Sequence, residues 1–152
     1  MRQDHERGAS HAANPDVVVD FEHDAAAPRT ARRAIDGLLG EPDDPIANDA
    51  VLSTSELVTN VVQHTDGGGE VRAWDPKPGV PMRVEVEDTD RSIPEPQQSA
   101  RDHDGGGRGL MLVDRLSDVW GRFRTVLGKV TWAEFDRDKR KRIASDPPPG
   151  SS

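Results

Sequence analysis

The chain of 152 residues contains no cysteine and no tyrosine, and its other aromatic side chains are three tryptophans and three phenylalanines. The absence of cysteine excludes disulfide bonds, thiolate metal sites and cysteine nucleophiles. The sequence also has no apolar run long enough for a signal peptide or a membrane span. We therefore expect a cytoplasmic protein whose length suits a single domain with one small core.

Positive charge is scarce relative to negative charge. Lysine and arginine number 20 and aspartate and glutamate number 28, so the net charge is 20 − 28 = −8. Such an excess disfavours electrostatic binding to the phosphates of nucleic acids. We expect neither nucleic acid nor membrane among the partners, although a local basic cluster could still bind a nucleotide.

Both ends of the chain are polar and lack hydrophobic periodicity. Residues 1–14 are predicted to form a disordered tail, and so are residues 139–152, where three consecutive prolines can neither extend a helix nor pair in a sheet. The charged run at 137–142 is typical of a solvated tail rather than a binding patch. The predicted domain is 15–138.

Between these tails the pattern begins with a strand followed by two helices. The β-branched run at 17–21 predicts a strand, and Asp24 is a suitable cap for a helix over 26–39. A second helix is predicted over 45–65. Its core stripe is predicted to consist of Ala47, Val51, Thr54, Val58, Val61 and Val62, and its polar side of Asp49, Ser53, Glu56, Asn60 and His64.

The remainder of the domain is predicted to be mainly strand. Alternating segments at 70–74 and 82–88 surround a hairpin loop, and two further strands are predicted within 119–135 after a helix that begins near residue 107. This order predicts an α/β two-layer sandwich. Its helices would cover one face of a mixed, mostly antiparallel sheet.

The second helix carries the first candidate functional pair. Glu56 and Asn60 are four residues apart, so a carboxylate and an amide oxygen leave the same helix face one turn apart. The ordinary alternative is that they are part of a solvated polar face.

Asp88 is the second candidate. It continues the alternation of Met82, Val84 and Val86, which places a carboxylate on the apolar face of the strand. A buried carboxylate costs free energy unless it has hydrogen-bonding partners, and a bound ligand could supply them. The alternative is that Asp88 only begins the turn over 88–90.

A glycine-rich run provides the third candidate, and it consists of Gly105, Gly106, Gly107, Arg108, Gly109 and Leu110. Glycines allow close approach to a ligand, and the free N–H groups of the helix that follows attract phosphate. Arg108 could add a charge-assisted contact. The segment 89–107 is long enough to be a lid, and within it Asp102, His103 and Asp104 favour a solvated surface over a metal cluster. Together the three candidates suggest a magnesium nucleotide site.

In this order the three motifs resemble those of the GHKL superfamily, which contains gyrase, histidine kinases, MutL and the small anti-sigma-factor serine kinases. The similarity is greatest to the last group and covers roughly residues 16 to 136. The resemblance implies the Bergerat ATP-binding fold with ATP and Mg²⁺ as cofactors. It implies that Glu56 is the general base, Asn60 the Mg²⁺ ligand, Asp88 the acceptor for the adenine amino group and 105–110 the phosphate-binding lid.

Two positions depart from the family pattern. The family places a threonine directly after Gly-Lys, whereas here Val130 follows and Thr131 comes next. A shift of one residue reverses the side-chain face of a strand, so we expect Thr131 to point away from the pocket. The first glycine box also has Asp90 and Ser92 in place of glycines, which predicts modest nucleotide affinity.

The resemblance implies an ATP-binding serine/threonine protein kinase of the anti-sigma regulatory type. Its partner would be a sigma factor or an anti-sigma-factor antagonist, and a homodimer is possible in the family. One alternative is a non-catalytic module that binds ATP and sequesters such a partner. Another is a structural α/β domain whose glycine loops bind no nucleotide.

Overall fold

The computed structural model of the chain describes residues 11, 13–41, 43–90 and 107–145. The elements are strand β1 (Val17–Phe21), helices α1 (Ala27–Leu39) and α2 (Ala47–His64), strands β2 (Gly69–Trp74) and β3 (Met82–Asp88), helix α3 (Gly107–Leu116), strands β4 (Val119–Arg124) and β5 (Lys129–Phe135), and helix α4 (Arg137–Ser145). The predicted order of strands and helices is confirmed, and α4 is an addition.

The five strands form one sheet in the order β1-β2-β3-β5-β4. Every neighbouring pair of these strands is antiparallel, where a mixed sheet was predicted. The two-layer α/β sandwich is otherwise as predicted. Because β5 lies between β3 and β4, the end of β3 is adjacent to the start of β5, and this adjacency forms one end of the candidate site.

The core lies between the helices and one face of the sheet, which we call the inner face. Its apolar side chains come from α1, α2, α3 and the inward positions of the strands, among them Ile35, Val58, Val71, Val84, Val113 and Phe135. Asp24 accepts a hydrogen bond from the N–H of Ala26, but Ala26 itself is the N-cap residue of α1 and no side chain caps the helix, so the prediction of Asp24 as the cap is wrong. No helix among the described residues is both long and apolar enough to cross a membrane.

Helix α2 is buried over a wider arc than its sequence predicts. Ser53 was assigned to the polar side, but it is 1% exposed, and Ser55 accepts a hydrogen bond of 2.8 Å from Arg32 Nη1 of α1. Ala47 and Val51, assigned to the core stripe, are only partly buried. The reason is that α2 contacts α1, α3 and the sheet at once, so its environment is apolar on more than one side.

The opposite face of the sheet, which we call the outer face, carries a network of charges. Arg72 pairs with Glu70 at 2.7 Å, with Glu87 at 2.9 Å and with Glu85 at 3.1 Å. Arg83 pairs with Glu85 at 2.8 Å. Glu85 lies on the face opposite the apolar side chains of β3, yet it is fully buried. The burial of these charges is tolerated because they pair with one another within and between β2 and β3.

The described part of the N-terminal segment contacts this outer face. The ring of His11 stacks on Trp74 with centroids 4.7 Å apart, and Trp74 Nε1 donates a hydrogen bond of 2.9 Å to the carbonyl of Ala13. His11 and Ala13 fall within residues 1–14, the segment predicted as a disordered tail. The segment adds cover over Glu85, whose Oε2 lies 3.4 Å from the His11 backbone nitrogen.

Helix α4 includes the whole charged run, 137–142, that was predicted to be a solvated tail. Arg140 pairs with Asp118 at 2.7 Å and with Asp49 at 3.3 Å, and Arg137 pairs with Asp44. Sequence periodicity could not predict this docking, because the acidic partners are distant in the chain. The predicted tail beyond residue 145 lies outside the described residues.

Candidate functional site

Glu56 and Asn60 meet the first turn of α3. A Cβ atom placed on Gly109 would lie 3.1 Å from Glu56 Oε2, 3.2 Å from Asn60 Oδ1 and 3.3 Å from Asn60 Nδ2. Both side chains therefore converge on the backbone of Gly109. The structure thus brings together residues from two of the predicted motifs. A side chain at position 109 would fill the space that the Glu56 carboxylate and the Asn60 amide face.

The position of α3 follows from its apolar residues. Leu110 is 3% exposed and Val113 is fully buried, so they anchor the helix in the core beside α2. Leu110 was predicted to bind the nucleotide, but its side chain belongs to the core, which leaves only its backbone N–H for that role. Gly107 begins α3 as predicted.

Part of the predicted glycine lid cannot be compared with the structure. Gly105 and Gly106 lie outside the described residues, and so do Asp102, His103 and Asp104. Arg108 has helical backbone, and its predicted contact with phosphate stays a prediction.

Asp88 is buried at the end of β3, with 4% of its surface exposed. Its Oδ1 accepts a hydrogen bond of 2.8 Å from the N–H of Asp90, and its Oδ2 lies 3.0 Å from Lys129 Nζ. Lys129 also pairs with Asp90 at 3.2 Å. Asp88 therefore both begins a turn and provides a buried carboxylate, so the two interpretations of its sequence position are compatible.

Thr131 lies on the same face as Asp88, and the prediction that it points away is wrong. Asp88 pairs in register with Lys129, and Val86 pairs with Thr131. Directly paired residues of antiparallel strands share a face, and side chains two residues apart on one strand do so as well. Val130 instead lies opposite Glu87 on the outer face. Of these two residues, Thr131 is therefore the one whose side chain lies on the inner face, with Asp88.

The described part of the altered first glycine box, residues 88–90, forms its turn without positive φ at any residue. No described residue other than glycine has positive φ, so Asp90 does not need the conformational freedom of glycine. The requirement for glycine falls instead on Gly128, where a Cβ would lie 2.2 Å from the backbone oxygen of Asp88. The hairpin between β4 and β5 therefore approaches the end of β3 closely, which places Lys129 beside Asp88.

Arg122 is a residue of this region that sequence reasoning missed. It pairs in register with Thr131, so it lies on the inner face, and its Nε atom is buried without a hydrogen-bond partner. Burial lowers the pKa of Arg122, and the nearby Asp88 carboxylate opposes that shift. The alternation of Trp120, Arg122 and Arg124 along β4 could have indicated an inward arginine, but only once the strand's inner face was known.

The donor atoms of the site suit a magnesium nucleotide. Among the described residues, no group of three or more histidines or acidic residues could enclose a metal ion by itself. Mg²⁺, however, is commonly bound by one or two protein oxygens together with substrate phosphates and water. The Asn60 amide oxygen beside the Glu56 carboxylate fits that arrangement.

Comparison with known proteins gives the same result as the geometry. The family model for the histidine kinase-like ATPase domain matches residues 21–134, about three quarters of the chain. A search of curated proteins finds no match. Among solved structures, the histidine kinase domain of the blue-light activated histidine kinase from Erythrobacter litoralis EL346 has a TM-score of 0.53 and 22% sequence identity. The match covers 95% of this chain and 74% of that one, and at this identity it supports the fold alone.

The family model spans the segment from the end of β1 to β5, which includes Glu56, Asn60, Asp88 and Gly109. The chain therefore belongs to the histidine kinase-like ATPase family of the GHKL superfamily, a family of ATP-binding domains.

Proposed function

We propose that this chain is an ATP-binding regulator of the anti-sigma-factor type. It transfers the γ-phosphoryl group of ATP to a seryl or threonyl hydroxyl of a small partner protein. The observation that carries the proposal is the convergence of Glu56 and Asn60 on the backbone of Gly109. A potential base and a potential metal ligand then share one position at the start of a helix, where backbone N–H groups attract phosphate.

The role of Glu56 is that of general base. Its Oε2 accepts the proton of the attacking hydroxyl as the hydroxyl oxygen forms a bond to the γ-phosphorus and the bond to the leaving ADP oxygen breaks. Asn60 holds Mg²⁺, which neutralises charge on the phosphates when it is bound. Glu56 is half-buried, so a docked partner hydroxyl can reach it from the open side.

Asp88 is proposed to recognise the adenine amino group. A carboxylate is an acceptor with about four lone-pair positions, and the Asp90 N–H and Lys129 Nζ use two of them. The remaining positions can accept an N–H of adenine, whereas guanine presents a carbonyl oxygen at the same place. Lys129 supports this role because its charge compensates the buried carboxylate.

The partner is proposed to be a sigma factor or an anti-sigma-factor antagonist, and a homodimer is proposed as the assembled form. The net charge of −8 supports a protein partner over a nucleic acid. Co-purification with the proteins encoded beside this gene tests the partner class, and light scattering tests the dimer. Recovery of none of these proteins would remove the partner assignment.

Glu56→Gln tests the catalytic proposal. Because a general base need not contact the nucleotide, this variant should retain Mg-ATP affinity while phosphoryl transfer from radiolabelled ATP falls by about 10²- to 10⁴-fold. Glu22→Gln, at an exposed position after β1, is the matched control. Transfer at the wild-type rate by the Glu56 variant would contradict the assignment.

Asn60→Ala tests the metal proposal by calorimetry. The variant should bind Mg-ATP much more weakly and lose the dependence of binding on Mg²⁺, while Asn48→Ala, exposed in the first turn of the same helix, should bind as the wild type does. Unchanged magnesium dependence in Asn60→Ala would contradict the role.

A non-catalytic binding module is the second candidate function. It is favoured by the departures from the family pattern at Asp90, Ser92 and Val130. A wild-type protein that binds ATP but phosphorylates none of the co-encoded proteins would establish this alternative.

A further inference from the structure

Arg122 lies on the inner face of the sheet. It forms no ion pair with any carboxylate of the described residues. Across the strands, Val71, Val86, Thr131 and Arg122 form one row in register. Asp88 and Lys129 form part of the next row. Arg122 is therefore a direct neighbour of Thr131 and one row away from the Asp88 carboxylate.

Arg122 is also level with the start of α3. Trp120 Nε1 donates a hydrogen bond of 2.8 Å to Asp114 Oδ1, and only two residues separate α3 from β4, so the chain reverses between them. Arg122 lies two residues beyond Trp120, about 7 Å along the strand. Gly109 lies five residues before Asp114, about 7.5 Å along the helix. Because α3 and β4 run in opposite directions, these two lengths lead from the Trp120–Asp114 bond toward the same end of the site, where Glu56 and Asn60 face Gly109.

The surroundings of Arg122 leave its charge uncompensated. Its Nε is buried without a hydrogen-bond partner, and its guanidinium carbon lies 5.8 Å from the centroid of the Trp120 ring. Burial of a cation costs free energy unless an anion or a set of acceptors balances it. The Asp88 carboxylate acts on Arg122 only through space, because its own close partner is Lys129.

We propose that Arg122 binds the phosphates of the nucleotide, as a cationic ligand on the sheet opposite the start of α3. This inference rests on the proposed function, since it assumes that the site takes a nucleoside polyphosphate. A guanidinium presents several N–H donors in a planar fork that matches two phosphate oxygens. The phosphates would then lie between the N–H groups of α3 and the Arg122 side chain, and they would supply the missing negative charge.

The test compares ligands that differ only in phosphates. By calorimetry, Arg122→Gln should lose about tenfold or more in affinity for ATP, as expected for one charge-assisted hydrogen bond, while adenosine affinity stays unchanged. Arg122→Lys should recover part of the ATP affinity. Arg124→Gln is the matched control, because Arg124 is on the same strand and face but exposed, and it should bind ATP as the wild type does.

Thermal unfolding supplies a second measurement. If Arg122 serves to bind phosphate, the Arg122→Gln variant without nucleotide should be no less stable than the wild type. The rise in Tm on adding Mg-ATP should be smaller for the variant than for the wild type. An arginine with a purely structural role would give the opposite result, a lower Tm without nucleotide. That result would overturn the inference.

The remaining outcomes separate this inference from the proposed function. Failure of the wild type to bind ATP would overturn both. A wild type that binds ATP, with an Arg122→Gln variant that binds it equally well, would overturn the role of Arg122 alone. An equal loss of affinity for ATP and adenosine would also overturn it, because Arg122 would then act on the base. If Arg122→Gln does not fold, Arg122→Lys decides the question by the same ligand series.

Discussion

Arg72 and Arg122 lie on opposite faces of the same sheet and differ in what surrounds their charge. Arg72 hydrogen-bonds three glutamates on the outer face. Burial acts to lower the pKa of Arg72, but these bonds outweigh it and raise the pKa. For Arg122 burial prevails and the pKa is lowered. Arg72 thus has ionic partners within the fold. The proposed partners of Arg122 are instead the phosphates of a bound nucleotide.

The buried carboxylates of the two faces show a similar contrast. Glu85 is fully buried between Arg72 and Arg83, and the described N-terminal segment contributes to its cover. Asp88, also buried, ends its strand beside a turn and retains acceptor positions. The outer face is thus a closed network, and the inner face at the end of β3 is a polar region that can still accept a ligand.

The largest effect should come from breaking the outer network. Arg72→Met removes the cation that links Glu70, Glu85 and Glu87, and loss of one partner from a buried ionic network destabilises by about 3 kcal/mol. Urea unfolding should show this decrease, with Tm lower by about 6 to 12 °C.

The control for this measurement is Arg33→Met, at an exposed position on α1, which should change the free energy of unfolding by about 0.5 kcal/mol or less. Equal destabilisation by Arg72→Met and Arg122→Met would remove the distinction between the two arginines.

The second largest effect is expected at Asp88, the buried carboxylate of the inner face that retains acceptor positions. Asp88→Asn replaces an acceptor-only group with an amide that can present an N–H, so affinity for ATP should fall by about tenfold and the preference for ATP over GTP should disappear. Calorimetry with both nucleotides measures the change. Asp20→Asn, exposed on β1, should keep the wild-type preference. A wild type that binds ATP and GTP equally would show that Asp88 does not recognise the base.

The smallest effect is expected at Asp118, where α4 docks. Burial acts to raise the pKa of Asp118, but hydrogen bonds from the Asp136 N–H, Arg140 and Lys139 outweigh it and lower the pKa. A lowered pKa stabilises the fold above the unfolded value of about 4, and this stabilisation is lost as the pH falls through the folded pKa.

Urea unfolding of Asp118→Asn and the wild type at several pH values checks this sign. The wild type should be more stable by about 1 kcal/mol at pH 7, and the difference should shrink below about pH 4. Asp43→Asn, exposed before α2, is the control. A constant difference across this range would mean that the ionised carboxylate of Asp118 does not stabilise α4.

The sequence predicted features that depend on short-range periodicity. The spacing of Glu56 and Asn60 places them on one helix face whatever the rest of the chain does, and the alternation around Asp88 places it on the apolar face of its strand. The hairpin between β2 and β3 is likewise local. These predictions are confirmed because helix and strand geometry relate residues only a few positions apart.

Predictions that needed distant partners failed. The face of Thr131 depended on its register with β3, and the count from the family's Gly-Lys pair gave the wrong answer. The burial of Ser53 depended on the packing of α2 against three other elements, and the docking of Arg140 depended on Asp49 and Asp118. No periodicity within a short window contains that information.

The sequence by itself determined the order of the elements from β1 to β5, the two-layer sandwich and the three motifs, because each is set by repeating patterns or turn residues that act over a few positions. Only the tertiary structure decided that Glu56 and Asn60 face Gly109, that Lys129 pairs with Asp88, and that Arg72 is neutralised while Arg122 is not. The physical reason is that the free energy of a charge depends on what surrounds it in space. In this sheet those surroundings depend on strand pairing, which places Glu85 and Glu87 of β3 beside Arg72 and places Thr131 of β5 beside Arg122.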